Sequence, residues 1–324
     1  MRAIVCREYG PPERLHLETL PDPVAGPGEI VMEVKAASVS FPDTLIIQNL
    51  YQGTTPLPFT PGGEASGVVV EVGEGVEGIA VGDAVVGGSA GSFAERVVAQ
   101  AQLVRPLPEG ADFAEAPGLL YAYGTALYAL RDRGELREDE TLLVLGAGGN
   151  VGLAAVELGK HLGARVIAAA STAEKLEVCR ERGADDTIDT SREHLKERTK
   201  ELTGGRGADV VYDAVGGDLA EQALRATAWK GRFLVIGFPA GIPSIPLNLP
   251  LLKGCQIVGV FFGKVIMNEP EAIAEIMSEL HRLSSEGLLH PHVSRRYALA
   301  ESPQALRDLM ERRVVGRVVV EPWR

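Results

Sequence analysis

The chain has little cysteine, no long apolar segment and no excess of basic charge. Its three cysteines, Cys6, Cys179 and Cys255, lie far apart among 324 residues. This small, odd number excludes a disulfide framework or a paired-cysteine metal cluster, so we expect buried thiols. No apolar run approaches the ~18 residues that a membrane span requires. The first residues indicate a strand and not a signal peptide, so we expect a cytoplasmic protein without a membrane partner.

The charge balance, the histidines and the motifs argue against several further classes of function. The net charge of −12 argues against nucleic acid as a partner, because such binding requires a basic face. The six histidines form no constellation; His290-Pro291-His292 has a metal-like spacing, but a loop is the favoured interpretation. No nucleophile-elbow motif is present, which argues against a hydrolase. A small-molecule partner remains.

A glycine cluster follows a short apolar run and opens into a helical pattern. The run Leu142–Leu145 predicts a strand, and Val151–Leu162 predicts the helix. A dinucleotide needs such a turn, because the glycines let the pyrophosphate approach the free N–H groups of the helix. A strict GxGxxG from Gly146 fails, and the spacing that works begins with alanine. The predicted cofactor-binding residues of this turn are Ala147, Gly149, Asn150, Val151 and Gly152.

An ordinary strand-to-helix turn is the alternative, but a second strand, Arg165–Ala169, follows about twenty residues on, as a βαβ unit requires. The wider pattern predicts two domains. Short strands punctuated by proline and glycine fill the first part of the chain and predict a compact β domain. From Leu142 onward, six candidate strands alternate with amphipathic helices, which predicts an α/β fold with a doubly wound parallel sheet.

The last part of the chain, from 265, is predicted to rejoin the first domain. It contains a helix over Glu271–Ser285, a loop at Arg295–Tyr297, a helix over Pro303–Glu311 and a strand at Arg317–Val320. The predicted division is therefore 1–123 with 265–324 for the β-rich domain, and 124–264 for the dinucleotide-binding domain.

Several motifs together resemble one family along essentially the whole chain. They are Gly28-Glu29-Ile30-Val31, Ala36-Ala37-Ser38-Val39-Ser40, Leu57-Pro58-Phe59-Thr60-Pro61-Gly62-Gly63-Glu64-Ala65-Ser66-Gly67, Val81-Gly82-Asp83, Ser92-Phe93-Ala94-Glu95, Tyr123-Gly124-Thr125-Ala126 and the glycine cluster. The chain resembles the zinc-free quinone oxidoreductases of the medium-chain dehydrogenase/reductase superfamily, the group that includes zeta-crystallin. The resemblance implies a GroES-like catalytic domain and a six-stranded Rossmann domain.

The zinc-binding members of the superfamily have a cysteine near Ser40, a histidine at Gly63 and a four-cysteine lobe soon after Gly87. A catalytic zinc needs about three protein ligands, and Glu64 alone cannot supply them. The resemblance therefore implies no zinc. The acceptor must then take a hydride without a strong Lewis acid, which favours a quinone. A conjugated enone or an enoyl or acryloyl thioester of coenzyme A is the alternative.

The second strand of the Rossmann pattern ends without the carboxylate that would bind a ribose 2′-hydroxyl. Ser171 offers a hydrogen bond there, and Lys175 brings positive charge, so we expect NADPH and keep NADH as the weaker alternative. Lys175 could instead be a solvated helix residue. Relatives often place a tyrosine at Thr190 to contact the adenosine phosphate, and Arg192 is near enough along the chain to substitute for it.

The resemblance carries further cofactor residues onto this chain. They are Thr125 and Tyr128 near the nicotinamide, Val215 and Gly216 after the fourth strand, Phe238 after the fifth, Phe262 at the sixth, and Arg313. Phe238 and Phe262 could also be plain core, and Arg313 a surface helix end.

The substrate pocket is expected to contain Ser40, Asp43, Leu45 and Tyr51. Relatives often have asparagine at Ser40 and tyrosine at Leu45, so this pocket is more apolar. Tyr51 is the candidate proton donor, and with an ordinary pKa near 10 a phenol would act only through a hydrogen-bonded relay. Tyr51 could equally just pack in its loop, and Asp43 could simply cap or brace that loop.

Three functions remain open: an NADPH-dependent quinone reductase, a reductase of activated C=C bonds, and a non-catalytic NADPH-binding protein. RNA binding is known among such relatives, but the acidic charge argues against it here. The apolar strand Gln256–Phe261 is expected at the sheet edge, where an exposed strand invites pairing, so we expect a homodimer through it.

Overall fold

The computed structural model describes all 324 residues and divides the chain into two units. The β-rich unit comprises Met1–Leu120 and Pro291–Arg324, and the parallel-sheet unit comprises Tyr121–His290. The second unit is thus a continuous segment inserted between two pieces of the first.

The β-rich unit consists of a small two-stranded ribbon and a larger, mostly antiparallel sheet. The ribbon pairs β1 (Arg2–Cys6) with β2 (Leu15–Thr19). The larger sheet contains β3 (Glu29–Val39), β4 (Glu64–Val72), β5 (Ala84–Gly88), β6 (Arg96–Gln100), β7 (Val104–Pro106), β14 (Val293–Ala298) and β15 (Arg317–Glu321). Its order is β14-β15-β3-β4-β5-β7, and β6 also pairs with β3. Two helices, α1 (Phe41–Ile46) and α10 (Ser302–Met310), pack against each other in this unit.

The parallel-sheet unit holds six parallel strands. In chain order they are β8 (Thr141–Leu145), β9 (Arg165–Ala170), β10 (Asp186–Asp189), β11 (Ala208–Asp213), β12 (Thr227–Val235) and β13 (Gln256–Gly259). Every residue of β8 is buried, because helices cover both faces of such a sheet and its central strands are apolar throughout.

The strand order of this sheet is β10-β9-β8-β11-β12-β13. The chain therefore winds in one direction from β8 through β9 to β10 and in the other from β11 to β13. The crevice beside the carboxyl ends of β8 and β11 is the topological switch point, where α/β sheets bind ligands. The predicted fold class is confirmed.

Eight helices of this unit connect or cover the strands. They are α2 (Gly124–Leu127), α3 (Asn150–His161), α4 (Ala173–Glu181), α5 (Leu195–Leu202), α6 (Gly217–Ala226), α7 (Asn248–Lys253), α8 (Phe262–Asn268) and α9 (Pro270–Ser285). A π-helical turn, Tyr128–Arg133, continues α2. None of the helices in the molecule has the length and apolarity to cross a bilayer.

The structure differs from the sequence expectation at two places near the end of the chain. Residues 265–290 belong to the parallel-sheet unit, because α9 buries Ile276 and Leu280 and contacts α2 and α8 of that unit. The expected loop at Arg295–Tyr297 is part of β14, which pairs parallel to β15. Only Tyr297 of that strand is buried, so the strand shows no apolar alternation in the sequence.

Candidate functional site

The turn between β8 and α3 depends on two glycines. Gly146 has a φ of +66°, a conformation that glycine adopts without steric cost, and its carbonyl accepts a hydrogen bond from the Gly149 amide at 2.9 Å. A Cβ on Gly152 would lie 2.2 Å from the Gly146 carbonyl oxygen. The helix can therefore pack this closely on the turn only because residue 152 has no side chain.

The N-terminus of α3 is open to an anion, unlike two other helix starts in the unit. Its N-cap is Gly149, and its first turn contains no acidic residue. In contrast, the N-cap of α4 accepts a hydrogen bond through the Thr172 hydroxyl, and that helix carries Glu174 in its first turn. The first turn of α6 carries Asp218. Because the helix dipole favours phosphate and neither a side-chain cap nor an acidic residue opposes it there, the start of α3 suits a phosphate better than the other two.

The loop after β11 is braced by a buried carboxylate. Asp213 accepts hydrogen bonds from the amides of Val215 and Gly216, each at 2.9 Å. Burial raises the pKa of Asp213 despite these two bonds. Gly216 has a φ of +70°, and a Cβ there would lie 3.0 Å from the Phe238 ring. The structure thus brings the predicted residues Val215, Gly216 and Phe238 together.

The same edge of the sheet holds the residues predicted for the adenosine end. Ser171 directly follows β9 and Thr190 directly follows β10, and the Thr190 amide donates to Ala170 at 2.9 Å. The aliphatic stem of Lys175 covers Gly148, where an added Cβ would lie 2.5 Å from the Lys175 Cβ. The positively charged side chain of Lys175 therefore lies directly beside the turn between β8 and α3.

Thr125 and Tyr128 lie on α2 and on the π-helical turn that continues it. The Phe262 ring lies against Gly124, where an added Cβ would be 2.7 Å from the ring, and its centroid is 6.0 Å from that of Tyr128. Phe262 is buried, so this ring fixes the start of α2. The structure brings Tyr128 and Phe262 together, and the burial of Phe262 also fits the plain-core alternative, so its cofactor role stays a prediction.

In the β-rich unit, Ser40 and Asp43 form a capping box at the start of α1. Asp43 accepts hydrogen bonds from the Ser40 amide and hydroxyl, both at 2.7 Å, and also one from the Gly62 backbone. Burial raises the pKa of Asp43 to about 6 although these bonds favour the carboxylate. The bracing role considered for Asp43 is therefore present in the structure.

Tyr51 lies in the loop that follows α1 and is partly buried. Its burial and the negative charge of Asp43 both raise the pKa of the Tyr51 phenol, so the phenol is a weaker acid than usual and can donate a hydrogen bond at neutral pH. Leu45 closes the intervening turn, since its carbonyl accepts from the Leu50 amide at 2.9 Å. The four predicted pocket residues therefore belong to one short segment.

A catalytic zinc does not fit these residues. Gly63 has no side chain, and the Ser40 hydroxyl donates to Asp43. Glu64 is buried, and its Oε1 accepts a hydrogen bond from the Leu120 amide at 3.0 Å. No group of three or more histidine, cysteine, aspartate or glutamate side chains is arranged to hold a metal.

Family models and known proteins match most of the chain. A model described as alcohol dehydrogenase GroES-like domain matches residues 26–109, and one described as zinc-binding dehydrogenase matches residues 150–280. The quinone oxidoreductase-like protein 2 homolog of Nematostella vectensis is 37% identical over 98% of this chain and 88% of its own length. The quinone oxidoreductase of Pseudomonas aeruginosa is 36% identical over 97% of each chain.

The comparison with solved structures leads to the same group of proteins. The Escherichia coli quinone oxidoreductase complexed with NADPH superposes with a TM-score of 0.91 at 31% identity, covering 99% of this chain and 100% of that one. The chain belongs to the zinc-free quinone oxidoreductase group of the medium-chain dehydrogenase/reductase superfamily. The CurK enoyl reductase, with a TM-score of 0.89 and 26% identity over 99% and 98% of the two chains, is a further neighbour of this oxidoreductase.

Three residues that shape the site of this medium-chain oxidoreductase were not predicted from its sequence: Gly146, Gly148 and Asp213. Gly146 makes the tight turn and Gly148 accommodates Lys175, yet the alanine-first spacing passed over both. Asp213 could have been noticed as the acidic residue that ends an apolar strand. The cofactor role of Arg313 stays a prediction; its guanidinium pairs with Asp308 at 3.0 Å and with Glu311.

Proposed function

We propose that the protein is an NADPH-dependent, zinc-independent reductase that transfers a hydride to a quinone. The uncapped N-terminus of α3 above the Gly146–Gly152 turn carries the proposal, because it suits a pyrophosphate. Lys175 beside this turn and the absence of a carboxylate at Ser171 favour a 2′-phosphate. The NADPH complex of the similar Escherichia coli enzyme supports the same cofactor.

When bound, NADPH would supply the hydride. The chain would bind the pyrophosphate with the amides of α3 and attract the 2′-phosphate with Lys175. The aromatic pair of Tyr128 and Phe262 would limit water near the nicotinamide. Tyr51, whose pKa is raised by burial and by Asp43, would donate a hydrogen bond to the reduced acceptor oxygen and would pass a proton to it only through a hydrogen-bonded relay. A conjugated acceptor spreads the developing charge, so this chemistry needs no metal.

Steady-state NADPH oxidation tests the proposal directly. The acceptors are 9,10-phenanthrenequinone, benzoquinone, an enone and acryloyl-CoA, each measured with NADPH and with NADH. We expect turnover of the quinones, with a higher kcat/KM for NADPH than for NADH. Turnover of the thioester alone would overturn the quinone assignment, and tight NADPH binding without turnover would favour a non-catalytic role.

The role of Tyr51 is tested with Tyr51→Phe. We expect kcat for quinone reduction to fall by about 10²-fold, the lower end of what a positioned acid contributes, while the dissociation constant of NADPH stays unchanged. Full activity of the variant would remove Tyr51 from the mechanism.

Reduction of an activated C=C bond is the second candidate. The structural similarity to the CurK enoyl reductase favours it, and the apolar side chain of Leu45 would tolerate an acyl chain as well as a quinone. The thioester arm of the acceptor panel decides between the two.

We also infer a homodimer through β13. This strand ends the parallel sheet, and large apolar side chains on or near it are exposed, namely Trp229, Leu251, Leu252, Ile257 and Phe261. An exposed apolar strand edge is a template for pairing with a second copy.

A further inference from the structure

Glu157 is a buried carboxylate on α3 that the proposed mechanism does not use. Only 7% of the residue is exposed. Its Oε2 accepts a hydrogen bond from the Tyr123 hydroxyl at 2.5 Å and another from the His290 amide at 3.3 Å. The guanidinium of Arg182 lies 3.4 Å from its Oε1. Because burying a charge is costly unless it is paired, this residue needs an explanation.

The two hydrogen-bond partners mark the ends of the parallel-sheet unit. This unit spans Tyr121–His290, so Tyr123 is its third residue and His290 its last. One carboxylate oxygen therefore joins the segment with which the unit begins to the segment with which it ends.

The position of Glu157 along α3 relates these ends to the nucleotide site. The helix begins at Asn150, where a pyrophosphate would bind, and seven residues further along a helix correspond to about 10 Å. Tyr123 directly precedes α2, which carries Thr125 and leads to Tyr128. The start of α3 thus offers its amides to the phosphates. Further along the same helix, Glu157 holds the Thr125–Tyr128 segment, which is predicted to lie near the nicotinamide.

We infer that Glu157 is a positioning residue for hydride transfer: through Tyr123 it fixes the Thr125–Tyr128 segment at a set distance from the phosphate-binding end of α3. This inference rests on the proposed NADPH function. It requires that loss of the Glu157 contact affects the nicotinamide end of the cofactor and leaves the adenosine and phosphate end unaffected. A small misplacement at the reacting end is enough to slow transfer strongly.

The variants Glu157→Leu, Glu157→Gln and Tyr123→Phe test it, each in the full chain. Two ligands are compared: NADPH, and 2′,5′-ADP, which lacks the nicotinamide. For Glu157→Leu and Tyr123→Phe we expect kcat for quinone reduction to fall about tenfold or more, with the dissociation constant of 2′,5′-ADP within twofold of wild type. Glu157→Gln keeps a carbonyl oxygen as acceptor for Tyr123 and His290, so we expect it to recover most of the lost kcat.

The outcomes separate this inference from the proposed function. Wild-type protein that fails to bind NADPH would overturn both. Wild-type protein that binds NADPH and reduces quinones, together with a Glu157→Leu variant of unchanged kcat, would overturn the positioning role alone. Equal losses for 2′,5′-ADP and NADPH would also overturn it, since they would indicate a general disturbance of α3. If Glu157→Leu does not fold, the comparison of Tyr123→Phe with wild type still decides.

Discussion

Gly152→Ala is the substitution that most directly tests whether the turn between β8 and α3 binds the phosphates of the cofactor. The new methyl group would lie 2.2 Å from the Gly146 carbonyl oxygen and 2.8 Å from the Ala147 Cα. Both neighbours are backbone atoms, so no side chain can rotate away. An ordinary contact requires α3 to move from the turn by about 1 Å, since real Cβ atoms essentially never approach closer than 3.0 Å.

The expected magnitude follows from this displacement. Overpacking of a rigid site costs about 1–3 kcal/mol, and about 2 kcal/mol corresponds to a roughly 30-fold weaker affinity if it falls on the cofactor. At a concentration of about 100 times the wild-type dissociation constant, NADPH stabilises the wild type by about 2.7 kcal/mol. The same concentration would stabilise the variant by only about 0.9 kcal/mol.

The assay combines NADPH fluorescence titration with unfolding measured with and without NADPH. Gly53→Ala is the matched control, because Gly53 lies outside the turn and the proposed dimer strand and its added Cβ would meet nothing within 4 Å. We expect the control to bind NADPH like the wild type. A Gly152→Ala variant with wild-type affinity and wild-type stabilisation by NADPH would refute the assignment of this turn as the phosphate site.

Three further changes probe other parts of the chain. Asp43→Asn removes a carboxyl whose pKa is raised to about 6 by burial. This carboxyl ionises less readily in the folded than in the unfolded chain. As the pH rises from about 4 to 6, its ionisation therefore lowers the free energy of unfolding of the wild type by up to roughly 3 kcal/mol. The free energy of unfolding of the wild type relative to Asp43→Asn should therefore be lower at pH 7.5 than at pH 4.5. Lys175→Ala should raise the KM for NADPH about tenfold and leave the KM for NADH nearly unchanged. Ile257→Asp should convert a dimer into a monomer in light scattering, because it places a charge on the exposed strand edge.

For each of these three predictions, one result would contradict it. Parallel pH profiles of the wild type and Asp43→Asn would show that the buried carboxyl does not titrate differently in the folded state. An equal loss with both cofactors would remove Lys175 from phosphate recognition. A monomeric mass for the wild type would refute the dimer through β13.

The parallel sheet was predictable because its strands are short, apolar and buried, as in β8. The β14 strand was not predictable, because Arg295 and Arg296 are exposed and the pairing with β15 is a property of the fold. The boundary at His290 was also missed, since the apolar face of α9 shows that the helix packs but not which unit it packs on.

The site was predictable at the level of types of residue and only partly at the level of positions. The glycine spacing located the turn, but the sequence did not show that Gly146 adopts the positive φ and that Gly152 is the residue in closest contact. Asp43 and Ser40 were recognised as neighbours along the chain, whereas the pKa shift depends on burial by tertiary structure. Glu157 gave no signal, because a glutamate on an amphipathic helix is ordinarily exposed.

The insertion of the parallel-sheet unit between Leu120 and Pro291 has a consequence for how the molecule can be taken apart. The inserted segment is continuous, and a single carboxylate holds both of its ends. Excision at these two junctions would leave the βαβ framework and its glycine turn intact on one polypeptide. Under the proposed function, exchange of the Tyr121–His290 segment between related reductases would transfer the coenzyme preference and keep the Ser40–Tyr51 loop of the host.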